Sequence, residues 1–384
     1  MNVYVRPTKI LDVMKRAICR ARLGDLLAEV RKGGGLGDEE VRFLLGLTEN
    51  EDLERLFQTA RDLRQAVFGT AVFLYGFIYF STFCRNDCRF CLFRRSNRGH
   101  LRYRKTAEEV LDAASQLAAS GVHLIDLTMG EDPEILDSGT SGAEGIAELA
   151  GAVRSATSGL PIMVSPGLAG PSTLQRYARA GVEWYACYQE THHRGLFEQL
   201  RPGQSFDARW QAKLYAKRLG FLVEEGILCG VGERMEEVAE SVKWMRQLDA
   251  DQVRVMSFIP QPGTPMETHL APDFRRELHI LAVLRLAFPD KLIPASLDVE
   301  GLDGLKRRLE AGANVVTSLI APDASMEGVA NACLDIGNAR RTTSAVLPVL
   351  RSCGLRPGRS EHFHLWMETR RRAGGCRDGA RLSC

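Results

Sequence analysis

The first 68 residues carry apolar side chains at helical spacing. In ILDVMKRAICRA and VRFLLGL an apolar residue returns every three or four positions, so one face of each segment is apolar. A glycine-containing break at residues 32–35 separates the two segments. We therefore expect residues 1–68 to form a helical extension that precedes the main fold.

From about residue 72 the pattern changes to short apolar runs rich in β-branched and aromatic residues, separated by amphipathic stretches of helical length. Eight runs are present: VFLYGFIYFST (72–82), LIDLTMG (124–130), IMVSPG (162–167), WYACYQET (184–191), FLVEEGILCGVG (221–232), QVRVMSFIP (252–260), LIPASLD (292–298) and NVVTSLI (314–320). Thr106 with Glu109 has the form of a capping box at the start of one intervening helix. This alternation predicts an α/β fold, a (β/α)8 TIM barrel over residues 69–369. A doubly wound open sheet is the alternative.

Composition changes this picture in a few respects. A chain of 384 residues with 45% hydrophobic residues fits one barrel-sized domain with extensions. The net charge of +2 favours neither nucleic acid nor an anionic membrane as a partner, and no run of about 18 apolar residues is present. We expect a monomeric cytoplasmic enzyme that acts on a small molecule. The basic, glycine-containing stretch RRRAGGCRDGARLSC at 370–384 predicts a flexible, solvated tail.

Three of the ten cysteines stand together as Cys84-x3-Cys88-x2-Cys91, directly after the first predicted strand. In a barrel this position is the face that carries active sites. A fixed three-cysteine spacing would arise by chance in only about 0.007 chains of this cysteine content. Three thiolates in a compact loop can ligate a [4Fe-4S] cluster and leave its fourth iron open. A zinc site, which would want a fourth Cys or His nearby, and three inert buried thiols are the alternatives.

This motif, placed after the first strand of a barrel, resembles the radical SAM superfamily. Longer phrases resemble its methylornithine-forming branch over roughly residues 67–343: YGFIYFSTFCRNDCRFC, GVHLIDLTMGED, WYACYQETHH, LVEEGILCGVG, DQVRVMSFIPQPGTPM and LIPASLDVEGLDGLKRRLEAGANVVTS. The resemblance implies that the open iron binds S-adenosyl-L-methionine (SAM) and that an electron donor such as a flavodoxin or ferredoxin reduces the cluster. It also implies isomerisation of L-lysine to (3R)-3-methyl-D-ornithine in pyrrolysine biosynthesis, with no side-chain general base because SAM carries the radical.

The resemblance implies a cofactor site at the ends of the second to fourth strands. A Gly-Gly-Glu-like segment holds the SAM amino group in the superfamily, and the matching residues here are Met129, Gly130, Glu131 and Asp132. The first glycine of that segment is missing. Glu131 or the neighbouring backbone carbonyls can still accept hydrogen bonds from an ammonium group.

Other strand ends match further parts of this cofactor site. Ser165 can reach the ribose or methionyl part of SAM, Glu190 corresponds to a glutamate that contacts SAM, and Arg209 to an arginine that binds its carboxylate. Arg201 is a rival for Arg209. The glycines at 230 and 232 can approach adenine or simply form a tight turn.

Four polar residues at the ends of strands two, six and seven match positions that contact the product in the family. Arg254 can bind an α-carboxylate, Asp126 and Asp298 can each receive an ammonium group, and Ser296 can add a hydrogen bond. One cation with two anions complements a diamino acid. A structural ion-pair network is the alternative interpretation of the same residues.

Two other functions stay open at the level of sequence. A biotin synthase-like or maturase-like enzyme would act on another small substrate, and a second compact cysteine group, which we do not find, would favour it. A non-catalytic metal-binding scaffold is the more distant alternative, distinguished by iron content and SAM cleavage under reductant.

Overall fold

The computed structural model describes residues 7–137, 140–321 and 341–379. Three helices precede the first strand: α1 (Pro7–Arg31), α2 (Asp38–Leu45) and α3 (Asn50–Phe68). Helix α2 buries Val41, Leu44 and Leu45 on one face, the face that the apolar spacing predicts. Arg64 of α3 donates from Nη1 to the Leu309 carbonyl oxygen at 2.6 Å, so this extension is fastened to the outside of the main fold.

Eight parallel strands form the main sheet: β1 (Ala71–Ser81), β2 (Leu124–Met129), β3 (Ile162–Ser165), β4 (Trp184–Ala186), β5 (Leu222–Cys229), β6 (Gln252–Ser257), β7 (Pro294–Ser296) and β8 (Val315–Leu319). The strand order within the described residues is β6-β5-β4-β3-β2-β1-β8-β7. Between β6 and β7 the Val253 amide donates to the Leu292 oxygen at 3.0 Å. The sheet therefore nearly closes on itself, and the predicted (β/α)8 TIM barrel is confirmed over the open sheet.

The helices that surround the barrel are α4 (Ala107–Ala119), α5 (Pro133–Leu136), α6 (Thr140–Ala156), α7 (Pro171–Arg179), α8 (Arg194–Leu200), α9 (Phe206–Arg218), α10 (Met235–Leu248), α11 (Phe274–Ala287), α12 (Gly301–Glu310) and α13 (Thr343–Ser352). The expected capping box starts α4, where Thr106 Oγ1 accepts from the Glu109 amide and Glu109 Oε2 accepts from the Thr106 amide. No helix in the described ranges is both long and apolar enough to cross a membrane.

The amino-terminal end of the barrel is closed by the last part of the chain. A two-residue strand, β9 (Arg356–Pro357), pairs with β1, and helix α14 (Ser360–Gly379) follows it. The Trp366 ring of α14 stacks on Trp184 with ring centroids 6.0 Å apart, and Phe363 is completely buried. Strand β9 was not predicted, because two residues are too few to show an alternating pattern.

The structure differs from the expected flexible tail at 370–384, because α14 continues through residue 370 to Gly379. Arg370 is buried, and its guanidinium donates to Asp251 at 3.1 Å and to Asp249 at 2.8 Å, with Asp290 3.4 Å away. These acidic residues lie about 80 to 120 positions earlier in the chain, so the sequence does not show that they are partners of Arg370. The basic composition of the stretch therefore predicted a solvated tail. The rest of the predicted tail, residues 380–384, lies outside the described residues.

Candidate active site

The loop after β1 carries the three clustered cysteines and is hydrogen-bonded to the neighbouring strand-end loops. The Arg85 amide donates to the Glu131 carbonyl oxygen at 2.9 Å, and the Arg89 amide donates to the Leu200 oxygen at 2.9 Å. These bonds link the loop to the segments that follow β2 and β4. The loop therefore stands over the carboxyl ends of the strands, the position that the sequence predicts.

The three cysteine sulfurs share one electrostatic environment. Burial raises the pKa of Cys91 to about 12, and the nearby Cys88 and Cys84 add to the effect. Burial is also the main cause that raises the pKa of Cys84. As thiolates the three sulfurs would repel one another, and a positively charged group between them would remove that repulsion. Cys88 Sγ also accepts from Gln204 Nε2 at 3.1 Å and lies 3.6 Å from Arg201 Nη1, contacts that suit a metal-bound thiolate.

The donor set distinguishes an iron–sulfur cluster from a single metal ion. A structural zinc ion usually takes four protein ligands, whereas a [4Fe-4S] cube spreads its cysteine ligands over separate iron atoms and can leave one iron open when only three cysteines bind. The cysteine loop therefore fits the cluster better than the zinc alternative.

The segment after β2 lies directly against the cysteine loop. A Cβ atom at Gly130 would stand 2.2 Å from the Phe83 carbonyl oxygen and 2.9 Å from Cys84 Cβ, so only glycine fits there. Met129 is buried in the core rather than directed into the site. Asp132 is completely buried and accepts from Arg104 Nε at 2.6 Å. Its side chain also caps α5, so it has a structural role.

Glu131 is the member of this segment whose side chain joins other predicted cofactor residues. Its Oε1 accepts from Arg209 Nη1 at 3.0 Å and from the Leu168 amide at 3.0 Å. Arg209 also donates from Nη2 to the Tyr188 carbonyl oxygen at 2.9 Å. The structure thus brings Glu131 and the buried Arg209 together as an ion pair beside the cysteine loop.

Glu190 and Arg201 form a second ion pair near the cysteines, with Arg201 Nη2 2.9 Å from Glu190 Oε1. Glu190 has a φ of 66°, a left-handed conformation that glutamate rarely adopts and that is found often at functional sites. Burial is the main cause that raises the pKa of Glu190. Arg201, the rival to Arg209, therefore faces Glu190 and Cys88 instead of Glu131.

The glycines after β5 support the interpretation of a tight turn. Gly230 and Gly232 have φ values of 87° and 103°. A Cβ atom at Gly230 would stand 2.4 Å from the ring of Pro272. Both the backbone conformation and this close approach require glycine, without any ligand.

One cavity of about 260 Å³ connects the cysteine loop with the barrel interior. Its walls include Phe90 and Cys91 from the loop and the following predicted site residues: Asp126, Ser165, Glu190, Arg254 and Asp298. Ser296 does not line the cavity, but its hydroxyl donates to Asp298 Oδ2 at 2.9 Å. Most of the predicted cofactor and substrate residues therefore surround or support the same space.

Asp126 and Asp298 differ in how their charge is compensated. Asp126 accepts a hydrogen bond from Ser165 Oγ at 2.9 Å, and burial, with a contribution from Glu224, raises its pKa to about 7. Asp298 is also buried, which raises its pKa, but Arg341 at 2.8 Å and the hydroxyl of Ser318 hold the pKa below the ordinary value. Asp126 is thus the acid whose protonation changes near neutral pH.

Arg254 forms an ion pair with a residue that the sequence analysis did not single out. Its Nε lies 2.6 Å from Glu224 Oε1, and the Tyr188 hydroxyl donates to Glu224 Oε2 at 2.9 Å. Two adjacent glutamates in an otherwise apolar strand were a usable signal. Side chains alternate along a strand, so one glutamate enters the barrel, while Glu225 on the other face pairs with Lys213. No comparable sequence feature indicated that Tyr188, Ser318 or Arg341 belongs to the site.

Comparison with known proteins gives a consistent result. The model of the radical SAM superfamily matches residues 78–245. The 3-methylornithine synthase of Methanosarcina barkeri is 45% identical over 341 residues, which cover 89% of this chain and 95% of that protein. The 3-methylornithine synthase of Methanosarcina acetivorans is 43% identical over 342 residues, with the same two coverages. The crystal structure of methylornithine synthase (PylB) matches with a TM-score of 0.84 and 44% identity, over 89% of this chain and 99% of that one.

Identity of this extent over nearly the full length of both relatives confirms the resemblance drawn from the cysteine motif and the longer phrases. The barrel and the cavity beside the three cysteines agree with it. The chain therefore belongs to the 3-methylornithine synthase family of the radical SAM superfamily.

Proposed function

We propose that this chain is the enzyme that isomerises L-lysine to (3R)-3-methyl-D-ornithine. The observation that carries the proposal is the single cavity that runs from the three-cysteine loop to Arg254, Asp126 and Asp298. Besides Glu190 and Glu224, which face arginines, the cavity presents Arg254 and two aspartates, groups that suit a substrate with one carboxylate and two ammonium groups. We infer the reaction from the 3-methylornithine synthase family, to which the chain belongs.

Enzymes of the radical SAM superfamily use a [4Fe-4S] cluster and SAM, which together supply a 5′-deoxyadenosyl radical able to take hydrogen from an unactivated carbon. Cys84, Cys88 and Cys91 would hold the cluster. In the surrounding shell, Gln204 and Arg201 direct donors at the Cys88 sulfur. Such donors orient a cysteine ligand and tune the metal that it binds.

The Glu131–Arg209 ion pair would receive the amino-acid end of SAM. Arg209 suits the carboxylate, and Glu131 suits the ammonium, so the two groups of the ligand can replace the 3.0 Å contact between them. Met129, Gly130 and Asp132 would contribute through the backbone, because glycine has no side chain and the other two side chains are committed elsewhere.

Further contacts to the two ligands follow from position. Glu190 and Ser165 both line the cavity between the cysteine loop and the barrel interior, where SAM and the substrate would meet. On the substrate side, Arg254 would bind the α-carboxylate and Asp126 an ammonium group. Asp298, held by Ser296, would receive the second ammonium group. Ionic contacts at both ends would keep the reacting chain oriented away from water.

A one-electron carrier such as a flavodoxin or ferredoxin would reduce the cluster, because the chain needs an electron from outside for each cleavage of SAM. A monomer in the cytoplasm, without nucleic-acid or membrane partners, is our expectation from composition.

The direct test is anaerobic reconstitution with iron and sulfide, followed by incubation with SAM, a reductant and L-lysine. Mass spectrometry and comparison with authentic (3R)-3-methyl-D-ornithine should identify the product. SAM cleavage without any lysine-derived product would favour a biotin synthase-like or maturase-like enzyme. A protein that takes up iron and does not cleave SAM would favour the scaffold alternative.

A further inference from the structure

Glu224 stands at the centre of the polar groups inside the barrel. It is completely buried and lines the cavity. Its two carboxylate oxygens have separate partners: Oε1 faces Arg254 Nε at 2.6 Å, and Oε2 accepts from the Tyr188 hydroxyl at 2.9 Å. Gly226, two residues along β5, leaves room for this arrangement, because a Cβ atom there would stand 3.0 Å from Tyr188 and 3.5 Å from Arg254.

The contact at Nε determines which part of the Arg254 guanidinium remains open. Among the described residues, Arg254 Nη1 donates a hydrogen bond to Met256 Sδ at 3.5 Å, and this bond is weak because a thioether sulfur is a poor acceptor. The guanidinium also lies 5.5 Å from the Tyr188 ring centroid. Because the ion pair with Glu224 lies at Nε, the two terminal nitrogens of Arg254 are left as the pair that suits a bidentate contact with a carboxylate.

Glu224 also acts on Asp126 across the barrel. After burial, the charge of Glu224 is the largest cause that raises the pKa of Asp126 to about 7. The other groups that face Asp126 are the following: Tyr75 on β1, Thr128 on β2, Ser165 on β3, Tyr188 after β4 and Arg254 on β6. Asp298, after β7, lines the same cavity and faces Arg254. Both tyrosines have a pKa well above the ordinary value, mainly through burial, so they stay neutral. Among these groups, Asp126 has the pKa that lies near neutral.

We propose that Glu224 is a positioning residue. It fixes Arg254 for the substrate carboxylate, and its negative charge disfavours ionisation of the neighbouring Asp126. The proposal rests on the proposed function, since it takes lysine as the ligand. Glu224 itself binds no part of the substrate in this scheme. Its effect passes through Arg254 and Asp126.

The test measures L-lysine affinity by calorimetry against pH, on the cluster-loaded protein with SAM. Glu224→Gln keeps the shape and loses the charge, so affinity at pH 8 should fall at least about tenfold. In the same variant the loss of affinity on acidification should move to lower pH by about half a unit or more, because the pKa of Asp126 falls. Glu224→Asp retracts the carboxylate but keeps its charge, so affinity should fall while the pH dependence stays as in the wild type.

Glu225→Gln is the matched control, the same substitution one residue along β5 on the outer face. It should leave the pH dependence of lysine binding unchanged. Tyr188→Phe removes one hydrogen bond to Glu224 and is the replacement test if Glu224→Gln does not fold. We expect it to lower the affinity for L-lysine about threefold. Wild-type affinity in Glu224→Gln or Tyr188→Phe, or an unmoved pH dependence in Glu224→Gln, overturns the inference. Absence of lysine binding by the wild type overturns the proposed function as well.

Discussion

Replacing Arg370 with alanine should lower the free energy of unfolding by about 2–3 kcal/mol, because buried carboxylates would lose a shared cation. The Arg370 guanidinium donates from Nε to Asp251 at 3.1 Å and from Nη2 to Asp249 at 2.8 Å. The Asp251 side chain is 0% exposed, whereas the third partner, Asp290, is 57% exposed. The cost therefore comes mainly from Asp251 and Asp249.

The magnitude follows from the cations that remain. Removing one member of a fully buried ion pair costs about 3–5 kcal/mol. Asp251 keeps Lys217 at 2.6 Å and the amide of Val223 at 2.9 Å. Asp249 keeps Lys291 at 2.7 Å. These contacts reduce the expected decrease in the free energy of unfolding to about 2–3 kcal/mol. For a chain of this length that corresponds to a fall in Tm of about 3 °C.

The assay is thermal unfolding of the cluster-loaded protein, followed by circular dichroism under anaerobic conditions. Arg372→Ala is the matched control on the same helix. Its side chain is 82% exposed and pairs with Glu368, which is 59% exposed, so its loss should cost no more than about 0.5 kcal/mol. If the two variants lower Tm equally, α14 is not anchored through Arg370, and the account of the closed barrel end is wrong.

The remaining predictions concern the active site. Cys88→Ala should prevent assembly of the iron–sulfur cluster, measured by iron content and absorbance, whereas Cys353→Ala should retain it. Arg209→Ala should weaken SAM binding by about 1.5–3 kcal/mol in calorimetry, whereas the exposed Arg194→Ala should not change it. L-lysine should stimulate SAM cleavage more than norleucine, and Asp126→Asn should weaken the stimulation by lysine. Because the pKa of Asp126 is about 7, its carboxylate is charged above that pH, and lysine stimulation should fall as pH drops through 7. Equal stimulation at pH 6 and pH 8 would contradict that role.

The barrel could be predicted because its signal is local and repeated. Strands of a parallel barrel are covered on both faces, so β2, β3 and β8 are near-continuous apolar runs between helical segments. The cysteine loop was predictable for the same reason, since its three ligands fall within eight residues. Features confined to a short stretch of chain leave a pattern that a single sequence can show.

Contacts between distant segments leave no such pattern. Arg341 binds Asp298 across 43 residues, and Arg370 reaches Asp251 across 119. Each of these arginines looks like a surface residue until its partner is known. Asp132 shows the same limit, because its place in a cofactor-like segment does not reveal that Arg104 and the start of α5 occupy its side chain, which leaves its backbone for a ligand contact.

The two ligand positions share one electrostatic arrangement, which explains how buried charges are tolerated before a ligand enters. Glu131 with Arg209 is a largely buried pair with a contact of 3.0 Å, and Glu224 with Arg254 is a buried pair with a contact of 2.6 Å. An unpaired charge in either position would cost several kcal/mol. A zwitterionic ligand brings both charges at once, so it can open the first pair without leaving either partner uncompensated. At the second pair Glu224 would keep Arg254 in place, and the ammonium group of the ligand would bind Asp126, for which the described part of the chain shows no ion pair of its own. Binding would thus exchange one compensated state for another, which favours amino acids over neutral molecules of the same size.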